Sequence, residues 1–193
     1  WCSGCRRSRH NRSATHQDPL IRLHTMRVLL EQKKGSVQLG LVLKALQDKD
    51  PHVKRAATEL MVNYPELSSI ETLIALRKSA PRDDSHLIYT TRLVIRNLLR
   101  NEPLMKQIAS REWQQQDAEV LATVMAGIES AESGRFLFHY IKNHPLPKEE
   151  LHKAFQHTAR FIPASEMKDL TAIAVRLTAS DVETGYRIFQ SMQ

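Results

Sequence analysis

The sequence repeats itself. Asp18-Pro19-Leu20-Ile21-Arg22 matches Asp50-Pro51-His52-Val53-Lys54, 32 residues later, and Asp84-Ser85-His86-Leu87 follows Asp50 by 34. A recurrence of roughly 20 to 50 residues marks stacked units, each too small to bury its own apolar face except against the next. That constrains the chain more than its composition does. The 193 residues, 41% hydrophobic and 25% charged, are ordinary for a soluble folded protein. A chain of this length supports a core without a disulfide or a metal. The best apolar run, 120–128, is nine residues long, far below the roughly 20 needed to cross a bilayer. Cys2 and Cys5 are too few for a disulfide framework.

Each repeat opens a helical pattern. Val53, Ala56, Ala57, Leu60, Met61 and Tyr64 fall on one helix face, and Leu87, Ile88, Thr91, Ile95, Leu98 and Leu99 do the same. The Asp is an N-cap acceptor, and the Pro occupies a first helical position that needs no N–H. The basic residue in the first turns opposes the helix dipole. Arg22, Lys54 or Arg55 is therefore expected to reach an Asp in a neighbouring unit. Shorter amphipathic helices are expected at about 36–47 and 69–78, the latter opened by a capping box, Ser68-x-x-Glu71. The pattern continues through Leu104/Ile108, Val120–Ile128, Phe136–Ile141, Leu151–Phe161, Leu170–Leu177 and Val182–Phe189, with a second box at Ser180-x-x-Glu183. Pro145, Pro147 and Pro163 fall between helices, and no segment alternates as a strand. The fold class is all-α, an α-α superhelix of about eleven helices in antiparallel pairs.

Charge is uneven. Residues 1–35 hold eight Lys/Arg against two Asp/Glu, whereas the other 158 hold 20 against 19. Residues 1–17 read as a basic, disordered tail, because so polar a stretch cannot offset its ordering entropy. Residues 18–193 read as the solenoid. The helix after Asp18 lacks a partner before it, since residues 4–14 have no apolar face. The array thus starts in mid-repeat without a polar cap. Together with the start at Trp1, this reads as a piece of something larger.

Asp50-Pro51-x-Val53-Lys54-Arg55-Ala56-Ala57-x-x-Leu60 resembles the second helix of a HEAT repeat, over about 18–101. Pro81-Arg82-Asp83-Asp84-Ser85-His86-Leu87-Ile88-Tyr89-Thr90-Thr91-Arg92 resembles a segment in the HEAT region of large exported bacterial proteins. Those are known as membrane-bound dehydrogenases or haem-binding proteins, with a propeller before the helices and a c-type cytochrome after them. The resemblance implies a helical spacer in a periplasmic or exported parent; a cytoplasmic setting is the other reading. The match covers neither propeller nor cytochrome, so it carries over no activity.

Several clusters contain residue types that could support chemistry. Trp1-Cys2-Ser3-Gly4-Cys5 has thioredoxin-like spacing but no preceding strand signal, and Arg6 stands where a c-type haem site needs His. Cys2, Cys5, His10 and His16 are weak zinc ligands by spacing. His86 beside Asp83 and Asp84 reads as helix capping. His139, His144, His152 and His157 read as surface histidines. Phosphate-loop, nucleophile-elbow and metalloprotease motifs do not occur. The expectation is a non-catalytic module without cofactor or metal site: a protein-interaction scaffold or interdomain spacer. Its surface would come from second helices, including Lys54, Glu59, Arg92 and Arg96. Its partners would be protein domains, those of the same parent chain first. The other reading is a basic solenoid of the HEAT-like DNA glycosylase type. Trp113 and Asp117, one turn apart, are its meagre support, and the near-neutral charge of 36–193 disfavours a phosphate-tracking stripe.

Overall fold

The structure, a computed structural model, describes residues 11–32, 38–178 and 182–191. Among them are an α-helical turn at 11–14, eleven longer α-helices, two 3-10 turns and no strand. The helices are α1 Pro19–Leu30, α2 Leu39–Ala45, α3 Pro51–Leu60, α4 Leu67–Ser79, α5 Ser85–Leu98 and α6 Glu102–Ser110. They continue as α7 Gln115–Met125, α8 Ala131–Asn143, α9 Lys148–Phe161, α10 Met167–Thr178 and α11 Val182–Ser191. This is an all-α helical-repeat fold. The chain divides into two compact units, Trp1–Leu104 and Met105–Gln193, where the sequence reading has one array from 18.

In the first unit, α1 packs on α3 and α3 on α5, while α2 lies against α3 and α4 against α5. The repeat starts produce this arrangement. Asp18 accepts from Leu20 N–H, Asp50 from His52 and Val53 N–H, and Asp84 from Leu87 N–H, at 2.8–3.1 Å. Pro19 and Pro51 occupy the first helical positions as expected. The helices then turn Met26, Leu29, Val53, Leu60, Leu87 and Ile95 into the core, all at most 1% exposed.

In the second unit, α7 packs on α8, α8 on α9, α9 on α11, and α10 on α11. Its core centres on Phe155, fully buried among Phe138, Ile141, Ile162, Leu170 and Ile188. Burying a side chain of that size stabilises by about 1.5–3 kcal/mol.

Some boundaries differ from the sequence reading. The Ser68/Glu71 box does not form: α4 begins two residues earlier, at Leu67, with Glu66 as N-cap. The Glu66 carbonyl already receives Ser69 and Ile70 N–H, so Ser68 lies inside the first turn, its hydroxyl facing the Glu66 carboxylate at 3.4 Å. The box at Ser180 lies outside the described residues. A box does form at Ser130, whose Oγ accepts from Ser133 N–H while Ser133 Oγ accepts from Ser130 N–H. Residues 11–14 form a helical turn. Cys2, Cys5 and His10 lie outside the described residues.

Candidate interaction surface

The α1–α3–α5 layer carries bridges between successive repeats. Arg22 donates from Nε and Nη2 to the two Asp48 oxygens at 2.7 and 2.8 Å, and from Nη1 to the His16 and Gln17 carbonyls at 2.8 Å each. The planar guanidinium fits this fork because its donors lie in one plane. Asp48 Oδ1 also accepts Asp50 N–H at 2.9 Å, so the bridge sets the loop that starts α3. The Arg22 hydrogen bond holds the Asp48 carboxyl below its usual value, against the opposing effect of burial. Arg55 makes the next bridge more loosely, Nε to Asp84 Oδ1 at 4.0 Å, with that Nε buried and without a hydrogen bond. Two of the three basic residues singled out in the sequence thus reach an Asp of the following repeat.

Other parts of the layer are exposed. α3 is covered by α1, α5 and α2, which leaves a narrow exposed strip with His52 and Glu59. On α5 the strip is wider: His86, Tyr89, Arg92, Leu93 and Arg96 are exposed, opposite the buried Leu87, Thr91, Val94 and Leu98. Tyr89 is 66% exposed and Leu93 40%. α1 adds exposed Leu20, His24, Arg27 and Val28. Of the four expected surface residues, Glu59, Arg92 and Arg96 are exposed and Lys54 is half-buried.

Charge on this layer differs from the chain average. α1, α3 and α5 together carry Arg22, Arg27, Lys54, Arg55, Arg92 and Arg96 against a single acid, Glu59. Arg22 and Arg55 face Asp48 and Asp84; Arg92 and Arg96 have no acidic partner among the described residues. Placed at i and i+4 with like charge, those two slightly destabilise their own helix.

The remaining clusters are built differently. Asp84 caps α5 while His86 lies exposed in the first turn, as the capping reading expects. His16 Nδ1 accepts Asp18 N–H at 3.0 Å, a turn contact. Trp113 donates its indole N–H to the Ile108 carbonyl at 3.1 Å and carries Arg111 over its ring at 4.7 Å. Phe136 and Tyr140 continue from it along a cleft of about 410 Å³ that His139, Asn143 and His144 also line. Burial, then the Glu119 and Glu150 carboxylates, push the Tyr140 phenol up to about 12. Asp117 lies half-buried in the first turn of α7.

His157 is not the surface histidine the sequence suggests. Its Nε2 lies 3.0 Å from the fully buried Ser133 Oγ, and its ring packs on Phe161 at 4.6 Å. A Ser–His contact invites a nucleophile reading, but the Ser133 hydroxyl is fully buried. It lies within hydrogen-bond distance of the Ile128 and Ser130 carbonyls. Its Oγ accepts Ser130 N–H and faces His157 Nε2. The hydroxyl is shut off from solvent, and the pair joins α8 to α9. Burial lowers the His157 pKa. Sequence reasoning missed this pair because Ser133 and His157 are 24 positions apart. The Ser-x-x-Ser spacing at 130–133 is the one local signal that could have flagged it.

No known family profile matches the chain, and no curated protein does. An engineered protein solved by a structural genomics consortium is 16% identical, covers 97% of this chain and 98% of its own, and superposes with a TM-score of 0.50. A second engineered protein is 14% identical over 93% of this chain and 56% of its own, with a TM-score of 0.42. At 16% identity the first likeness is one of fold: an all-helical chain of matching extent.

Proposed function

We propose that this chain is a non-catalytic, HEAT-like helical-repeat module that serves as a protein-interaction scaffold or interdomain spacer. The observation that carries the reading is that the α1–α3–α5 layer is cross-tied between repeats yet keeps apolar and cationic side chains exposed. Arg22–Asp48 and Arg55–Asp84 tie successive repeats, and α5 presents Tyr89 and Leu93 beside Arg92 and Arg96. Tyr and Arg are the residue types that dominate binding energy at protein interfaces. A layer tied in this way presents them at little further entropic cost. The resemblance at Pro81–Arg92 supports a larger, exported, dehydrogenase-like parent, with neighbouring domains of that parent as partners.

A nucleic-acid role draws support from the cation excess of this layer, but Glu59 interrupts it and exposed Leu20, Val28 and Leu93 give phosphates nothing to bind.

The test is selection of peptides from a random display library against the full chain. Enriched peptides should lose binding to the Tyr89→Ser/Leu93→Ser variant. Peptides that bind wild type and variant alike, or no enrichment, would refute the reading.

A further inference from the structure

The outer side of α5 also indicates what kind of partner fits it. We infer that it docks an acidic amphipathic protein segment, whose carboxylates meet Arg92 and Arg96 and whose apolar residues cover Tyr89 and Leu93. This rests on the interaction reading above and adds the chemistry of the partner.

Three observations carry it. First, the stacked repeats place acids against arginines wherever the contact is internal: Arg22 has Asp48 and Arg55 has Asp84. Arg92 and Arg96 occupy the same layer without an ion pair to any acid among the described residues, and α5 contains no Asp or Glu. The fork of a guanidinium pairs best with a carboxylate held in its plane, so the missing counterpart is a pair of carboxylates about one helical turn apart.

Second, the arginines are interleaved with apolar surface. Around the helix, Tyr89 lies on the same arc as Arg96, and Leu93 lies one turn from Tyr89, both substantially exposed. A purely electrostatic ligand would leave this surface wet. A segment with Leu or Phe spaced i, i+3 or i+4 between its acids would cover it.

Third, Glu59 on neighbouring α3 is exposed beside this strip. It would repel a continuous phosphate backbone that tracked from α5 across the layer, whereas a discrete protein segment can set a neutral or basic residue there.

Charge complementarity of this kind governs association rate and partner choice. Two labelled 20-residue helical peptides of identical apolar pattern, one with Asp/Glu and one with Lys at the polar positions, test it by fluorescence anisotropy with the full chain. A 20-base-pair DNA duplex is the third probe. The acidic peptide should bind, weaken at least about tenfold with Arg92→Glu/Arg96→Glu, and stay unchanged with Lys168→Glu, an exposed charge in the other unit. The lysine peptide should gain affinity for the double variant. All variants alter exposed side chains, and a thermal melt matching wild type verifies that each is folded. Equal binding of both peptides, or tighter face-dependent binding of the duplex, overturns the inference. If display-selected peptides of other chemistry still lose affinity with Tyr89→Ser/Leu93→Ser, the interaction reading stands without the acidic partner; if none do, both fall.

Discussion

Two glycine-to-alanine changes should move stability in opposite directions. In the interior of a helix, Ala is favoured over Gly by about 0.8–1.0 kcal/mol. Gly40 on α2 has nothing within 4 Å of where a Cβ would sit, so Gly40→Ala should realise part of that gain. Gly134 on α8 is different. A Cβ there would lie 2.8 Å from the Ile162 nitrogen and 2.9 Å from the Phe161 carbonyl carbon. Both are backbone atoms at the end of α9, and no side-chain rotation relieves the overlap. Overpacking of this kind costs about 1–3 kcal/mol, and here the α8–α9 contact would have to open against the Ser133–His157 pin. The overlap is with backbone, so the upper part of that range, about 2–3 kcal/mol, applies; less the propensity gain, Gly134→Ala should destabilise by roughly 1–2 kcal/mol. For a unit of this size that lowers the midpoint by about 4–16 °C. Differential scanning calorimetry of the full chain reads both variants. A Gly134→Ala midpoint at or above wild type would refute the close approach of α8 and α9.

Arg22→Lys keeps the charge but loses the two-pronged contact with Asp48 and at least one carbonyl contact; urea titration should read a loss of about 2 kcal/mol, discounted for partial exposure. Because Arg22 depresses the Asp48 pKa, that stabilisation is present above the ordinary value of 3.8 and disappears as pH falls through the lower folded value. The Arg22→Lys deficit should shrink over that acid range, and a deficit constant to pH 2 would contradict the assignment. His157 has the same sign for a different reason: burial lowers its pKa, so folding favours the neutral ring, and stability should decline as pH drops below 6.5 towards the folded value. NMR titration of its ring protons should give a pKa below 6.5; a raised pKa would contradict burial of the ring as the controlling effect.

The repeats were legible because their signals are local. Asp18, Asp50 and Asp84 announce three helix starts by type and neighbour, and the buried faces of α3 and α5 follow from spacing alone. The acid-seeking arginines were legible for a related reason: a cation in the first turn is unfavourable unless something answers it. What stayed hidden depends on contacts across the chain. Ser68 and Glu71 have the spacing of a capping box, yet the turn after Pro65 starts α4 two residues early. Gly134 looks like an ordinary helical glycine until the end of α9 comes against it. The cationic outer face was hidden in a balanced total, because the acids of residues 36–104 lie largely in loops and in α4 while α5 has none.

Chemical-shift mapping of the isotope-labelled full chain with a display-selected peptide tests the central claim most directly. The outer face of the α3–α5 layer should respond, with the largest changes at Glu59, Tyr89, Leu93 and Arg96. Changes centred instead on the cleft between Trp113 and Tyr140 would place binding elsewhere and contradict the account.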